Sequence, residues 1–207
     1  MSDQHLRELE ATWRASGSVE DEAAYLLERV RAGELTQERL ELAAYCGHKG
    51  ARVEELKSAP QEHGSRRWYL FLSWRGQEAC VRASLAALAL LREPTVSHPQ
   101  LVPALARSRR WVLGPGGRLA VQQEALDAVA IEGDKLGWVL AAHADRCLTK
   151  PMRWGDSAAT VADAVQGACR DLVVHERVRE EVVMWALGFS DPVRERVEAR
   201  QREAAGG

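Results

Sequence analysis

The chain has 207 residues, 46% hydrophobic and 28% charged, with a formal net charge of −2 and a mass of 22.9 kDa. This is the composition of an ordinary soluble globular chain with enough apolar material for a core, and it excludes disordered, collagen-like and disulfide-dense secreted classes. A pI of 6.3 argues against a dedicated nucleic-acid binder, and the apolar run Leu85–Leu91 falls far short of the roughly 20 residues that span a bilayer.

The first sixty residues read as helices. Residues 4–15 carry Leu6, Leu9 and Trp13 on one side. Ser18 is an N-cap with Asp21 three residues on, after which Ala23, Leu26, Leu27 and Val30 recur at helical spacing. Gly33 is placed to end that helix in the left-handed conformation. Thr36 caps the next helix, Leu35 and Leu40 form a hydrophobic staple, Ala43 and Ala44 complete the inner face, and Gly47 is the stop. Residues 18–47 therefore predict an αα-hairpin.

Residues 68–74 (Trp-Tyr-Leu-Phe-Leu-Ser-Trp) have the composition of a strand but no second β-rich run to pair with, so they read as a short buried helix. Residues 77–92 are apolar nearly all round, as in a helix packed on several sides. Pro94, Pro99 and Pro103 bound a loop, and Pro103 suits the first turn of a helix running towards Trp111. Gly114-Pro115-Gly116-Gly117 is the strongest break in the chain. Helices follow over 119–131 and 135–148, the latter with Trp138, Leu140, Ala141 and Ala144 apolar. Asp156 or Ser157 then caps a long helix through Val161, Val165, Cys169, Leu172 and Val173. The pattern continues through Val178, Val182, Trp185 and Phe189 after a bend near His175, and Asp191-Pro192 opens a last helix with only Val193 and Val197 for a core.

Nine or ten helices with no credible strand pair predict a single all-α domain over 1–207, with a seam at 114–117. Small-residue clusters at 42–44, 85–87 and 126–128 recur at about 42 residues, near the period of HEAT and armadillo helix pairs. The expectation is αα-hairpins in either a HEAT/armadillo-like array or a compact helical bundle. Residues 19–48, VEDEAAYLLERVRAGELTQERLELAAYCGH, resemble a segment of uncharacterised all-helical, HEAT-like proteins of GC-rich bacteria. The resemblance covers thirty residues and contains no catalytic motif. It implies a helical-repeat fold and leaves activity open.

Candidate chemistry is sparse. Cys46/His48 and His143/Cys147 are two pairs of metal-ligand type that would make a zinc site only by converging. His175-Glu176-Arg177-Val178-Arg179 begins like the zinc-protease H-E-x-x-H, but Arg179 stands in place of the second histidine. The glycines at 114–117 have no following Lys-Ser or Lys-Thr and no preceding strand, so they are a turn rather than a phosphate loop. No catalytic residue, metal ligand set or cofactor is assigned. Four cysteines without a C-x-x-C pair, behind a polar N-terminus lacking the apolar stretch of a signal peptide, fit free thiols in a reducing cytoplasm.

Charge is the feature that exceeds this background. Of the 28 basic residues 24 are arginine, an excess that GC-rich codon bias explains, yet residues 61–120 hold 9 basic against 3 acidic groups, between acidic ends. That block contains Arg-Arg-Trp twice, at Arg66-Arg67-Trp68 and Arg109-Arg110-Trp111, with Trp74-Arg75 nearby. Arginine and tryptophan are enriched at interfaces. These eight residues are the candidate surface for a protein partner with an acidic face; the competing expectation makes the tryptophans core anchors and leaves their arginines solvated. The chain is thus expected to be a non-enzymatic cytoplasmic scaffold, of the size and surface of an immunity or regulatory protein. The alternatives are a nucleic-acid-associated factor using the 61–120 block and a zinc-dependent or zinc-stabilised helical protein.

Overall fold

The computed structural model describes residues 2–52, 65–91, 101–128, 136–149, 153–169 and 173–206. Eleven α-helices and no strand occur among the described residues. Their packing sorts into two units, one formed by 1–62 with 182–191 and the other by 63–181 with 192–207.

The first unit follows its local signals closely. α1 is Ser2–Ser16, α2 is Val19–Arg31 and α3 is Gln37–Tyr45. Ser18 Oγ accepts from the Asp21 amide at 3.0 Å, satisfying one of the orphan donors of α2, and Thr36 Oγ1 does the same for Arg39 at the start of α3. Gly47, at φ 96°, takes the left-handed turn that lets the His48 amide reach the Ala43 carbonyl at 3.0 Å. Leu26, Leu35, Leu40 and Ala43 form the core. Residues 182–187, the end of α10 (Val174–Leu187), contribute the carbonyls of Trp185 and Leu187, which accept from Arg39 and Arg29 at 2.9 and 2.5 Å. Two arginines thus cap a helix C-terminus, where orphan carbonyls and the macrodipole favour cations.

The second unit comprises α4 (Ser65–Leu72) with a 3₁₀ turn at Ser73–Arg75, α5 (Gln77–Leu88), α6 (Leu101–Leu113), α7 (Arg118–Ala128), α8 (Leu136–Thr149), α9 (Trp154–Ala168), the first half of α10, and α11 (Pro192–Gly206). Every residue from Ala79 to Leu88 is buried, as the all-round apolar pattern of α5 requires. α9 packs against α4, α5 and α8, while α8 also packs against α6 and α7. Small residues permit this: Ala158, Ala159 and Ala162 of α9 are buried, as are Ala79, Ala83, Ala86 and Ala87 of α5. At Gly155 the approach is closest, since a Cβ there would lie 2.2 Å from the Tyr69 carbonyl oxygen.

Several boundaries differ from the sequence expectation. α9 starts at Trp154, ahead of the expected cap at Asp156 or Ser157, because Gly155 seats the helix directly on α4. It ends at Ala168, with Cys169 at φ −116° and ψ 67°, so the long pattern through 189 is two helices. α4 is two-faced rather than wholly buried: Trp68, Tyr69 and Leu72 face inward, while Leu70 is exposed. Pro115–Gly117 form a 3₁₀ turn inside the second unit. The loop at Pro94 and Pro99, the residues around Ile131, Leu172 and the side chains of Trp138 and Val197 lie outside the described residues. No described helix is long and apolar enough to cross a membrane.

Candidate functional site

The two Arg-Arg-Trp segments share a local logic: each runs through a helix that turns its tryptophan inward. In α4, Trp68 is fully buried, edge-on to Tyr69 at 4.8 Å and to His175 at 5.0 Å, with the Arg179 guanidinium 5.2 Å from its ring centre. In α6, Trp111 is 2% exposed and is covered by the Arg118 guanidinium at 4.0 Å. Arg118 also donates from Nε to the Trp111 carbonyl at 3.2 Å and from Nη2 to Glu78 at 3.0 Å, and Glu78 in turn accepts from Arg82. The two indoles sit at separate core positions with different neighbours.

The arginines before them are largely engaged within the unit. Arg66 binds Asp156 at 2.6 Å and Asp163 at 3.4 Å, two carboxylates that a seven-residue spacing puts on one face of α9. Arg110 forms a two-pronged pair with Glu124, which raises the arginine and lowers the glutamate from their ordinary pKa values through the shared hydrogen bonds. Arg109 is half-buried.

What remains outward is one continuous stretch of α4 and its 3₁₀ turn. Trp74 is 80% exposed and meets Phe71 edge-on at 4.7 Å. Arg67 lies 5.7 Å from the Phe71 ring centre, one helical turn away, and Leu70 is 44% exposed. Arg75 is exposed at the end of the turn, where Gly76 at φ 108° redirects the chain into α5. Of the eight candidate residues, Arg67 and Trp74 therefore share this face with Phe71, while Arg75 is exposed next to Trp74 in the chain; Leu70 and Phe71 depart from the wholly buried helix that the sequence predicts. Helical phase within α4 distinguishes them: Trp68, Tyr69 and Leu72 occupy the buried side, Arg67, Leu70 and Phe71 the outer one, and Trp74 of the following turn meets Phe71 there.

The cysteine and histidine pairs have local partners. His48 Nε2 lies 3.1 Å from Glu22 Oε1, and the Cys147 thiol, pushed up to about 12 by burial, donates to the Trp154 carbonyl at 3.6 Å. Among the described residues no three His, Cys, Asp or Glu side chains converge as a metal site would need. Sequence reasoning missed two clusters. One is the buried pair Arg107–Asp145, bonded at 2.8 and 2.6 Å across α6 and α8. The other is the stack of Trp13 on Tyr25 and Phe189, whose members are too far apart in sequence to signal it. Comparison with protein-family models, curated proteins and solved structures finds no match to this chain.

Proposed function

We propose that the chain is a non-enzymatic, cytoplasmic helical scaffold that binds a protein partner presenting an acidic surface, in the manner of an immunity or regulatory protein. Its docking face is the outer side of α4 with the following turn: Arg67, Leu70, Phe71, Trp74 and Arg75. The observation that carries this reading is Trp74, whose indole is 80% exposed among exposed arginines. Burying such a side chain is worth roughly 2–3 kcal/mol, which an unliganded surface forgoes. Tryptophan and arginine are also the residues that dominate interface hot spots. An acidic partner is favoured because the second unit carries 20 basic against 16 acidic residues. Arg66 and Arg110 play a structural part in this reading, and their internal carboxylates make the 61–120 block less suited to a phosphate backbone. The second unit is read as a compact bundle rather than a HEAT-like array, because α9 packs on α4 and α5, far from it in sequence, whereas solenoid repeats touch only their neighbours.

The test is affinity capture from native lysate with the intact chain, Trp74→Ala and Arg67→Glu. One protein retained by the wild type, lost with either variant and released by rising salt is the expected result. A wild-type chain that retains no protein and scatters light as a lone monomer overturns the proposal, as does equal capture by all three chains.

A further inference from the structure

The first unit contains a groove of about 410 Å³ between α1, α2 and the turn after α10. That volume falls within the range of small-molecule sites. Trp13, Tyr25 and Phe189 supply aromatic walls: the indole lies 5.3 Å from each of the other two rings, within 20° of parallel. Met184, 37% exposed, adds a pliable apolar edge.

The polar groups in the groove are unevenly committed. Glu10 is bound to Arg14 at 2.6 Å, so the rim pair is close to neutral. Arg29, its side chain only 12% exposed, gives one Nη1 hydrogen to the Leu187 carbonyl, and the Glu34 carboxylate stands 3.6 Å from Nε, beyond hydrogen-bonding distance. No described residue accepts from Arg29 Nη2. Gly188, at φ 69°, lies beside that nitrogen, which a Cβ there would meet at 3.4 Å. The charges of Arg29, Glu10, Glu34 and Arg14 act on the Tyr25 hydroxyl, and burial, the largest influence, raises its pKa.

We propose that this groove binds a small aromatic carboxylic acid, its ring against Trp13, Phe189 and Met184 and its carboxylate accepting hydrogen bonds from Arg29 Nη2 and the Tyr25 hydroxyl. A guanidinium held by packing and one backbone carbonyl is pre-oriented for a carboxylate. An amine is less well matched, because Glu10, the carboxylate that lines the groove, is paired with Arg14. This site lies in the first unit and does not depend on the α4 docking face.

The probe is 2-naphthoate, with 2-naphthylmethanol as its uncharged counterpart, titrated into the full-length ¹⁵N-labelled protein. The expected result is a Kd of about 0.1–1 mM for the acid, in line with the efficiency of ligands of this size, with shifts centred on the Trp13 indole and the Gly188 and Phe189 amides. The alcohol binds at least about fivefold more weakly, the cost of losing a charge-assisted contact. Tyr25→Phe and Met184→Ala, which remove a hydroxyl and an exposed side chain, each weaken the acid about threefold or more while the amide spectrum stays native. Absence of shifts at Trp13 and Gly188, equal binding of acid and alcohol, or an unchanged Kd in both variants overturns the proposal.

Discussion

Asp145 shows how one residue can depend on a single partner. Its side chain is 3% exposed, burial raises its pKa, and the two hydrogen bonds from Arg107 oppose that rise. Replacing Arg107 with Met leaves a buried carboxylate uncompensated, and a loss of about 3–5 kcal/mol is expected in urea unfolding at pH 7. The deficit should shrink as the pH falls towards 5, because the orphaned carboxyl then takes up a proton in the folded state more readily than in the unfolded one. His175 has the opposite dependence on acid. Its two ring nitrogens are buried without a hydrogen-bond partner, and burial, reinforced by Arg179, lowers its pKa to about 4. Between pH 6.5 and 4 the unfolded chain therefore binds a proton that the folded chain refuses. Stability is fully present above about pH 6.5 and declines towards pH 4, by about 2–3 kcal/mol from this group. The measurement is the difference in unfolding free energy between wild type and His175→Gln across that interval; a difference that stays constant with pH would show that His175 titrates normally. Neither group was legible in the sequence. Asp145 carries no signal of its own between His143 and Cys147, and His175 shows only as the start of an incomplete H-E-x-x-H, because burial and long-range partners do not show in local spacing.

At the scale of elements, capping and periodicity carried most of the information. Ser18, Thr36 and Gly47 act within three or four residues of themselves, so their roles could be read from the sequence and are seen in the hydrogen bonds. Gly155 is different. It reads as loop, yet it lies in the first turn of α9, where the helix meets the backbone of α4. A methyl group at that position would lie 2.2 Å from the Tyr69 carbonyl oxygen and 2.9 Å from the Leu70 Cα, both backbone atoms that cannot swing aside. Gly155→Ala should force the helices apart and cost about 3 kcal/mol or more, despite the better helix propensity of alanine. A lowered urea midpoint with unchanged slope would register this; an unaltered midpoint would mean that α4 and α9 are not in contact there. The same contact explains why α4 is helical although its composition suits a strand. Its inner residues, Trp68, Tyr69 and Leu72, are three and four apart, a spacing that one helical face can bury.

For the molecule as a whole, the division of the chain does not follow its linear order. The first unit needs residues 182–191, which supply Phe189 to the Trp13 stack and two carbonyls to Arg29 and Arg39. Phe189→Ala should therefore loosen residues 2–52 and 182–191 selectively, with faster amide exchange there and protection retained in α5, α8 and α9. Equal acceleration in both units would show that they unfold together. Charge follows the same division: the first unit holds 8 basic and 14 acidic residues, the second 20 and 16. By itself the sequence determined the helical class, the caps and stops of the first hairpin, the basic block and the lack of a complete catalytic motif, since each of these depends on residue type over a few positions. Only the tertiary structure decided that both tryptophans of the Arg-Arg-Trp segments are core while Trp74 is exposed, which arginines are paired internally, and that Trp13, Tyr25, Arg29 and Phe189 line one groove. Those outcomes depend on contacts between residues as many as 176 positions apart, where packing and desolvation, rather than local spacing, set the result.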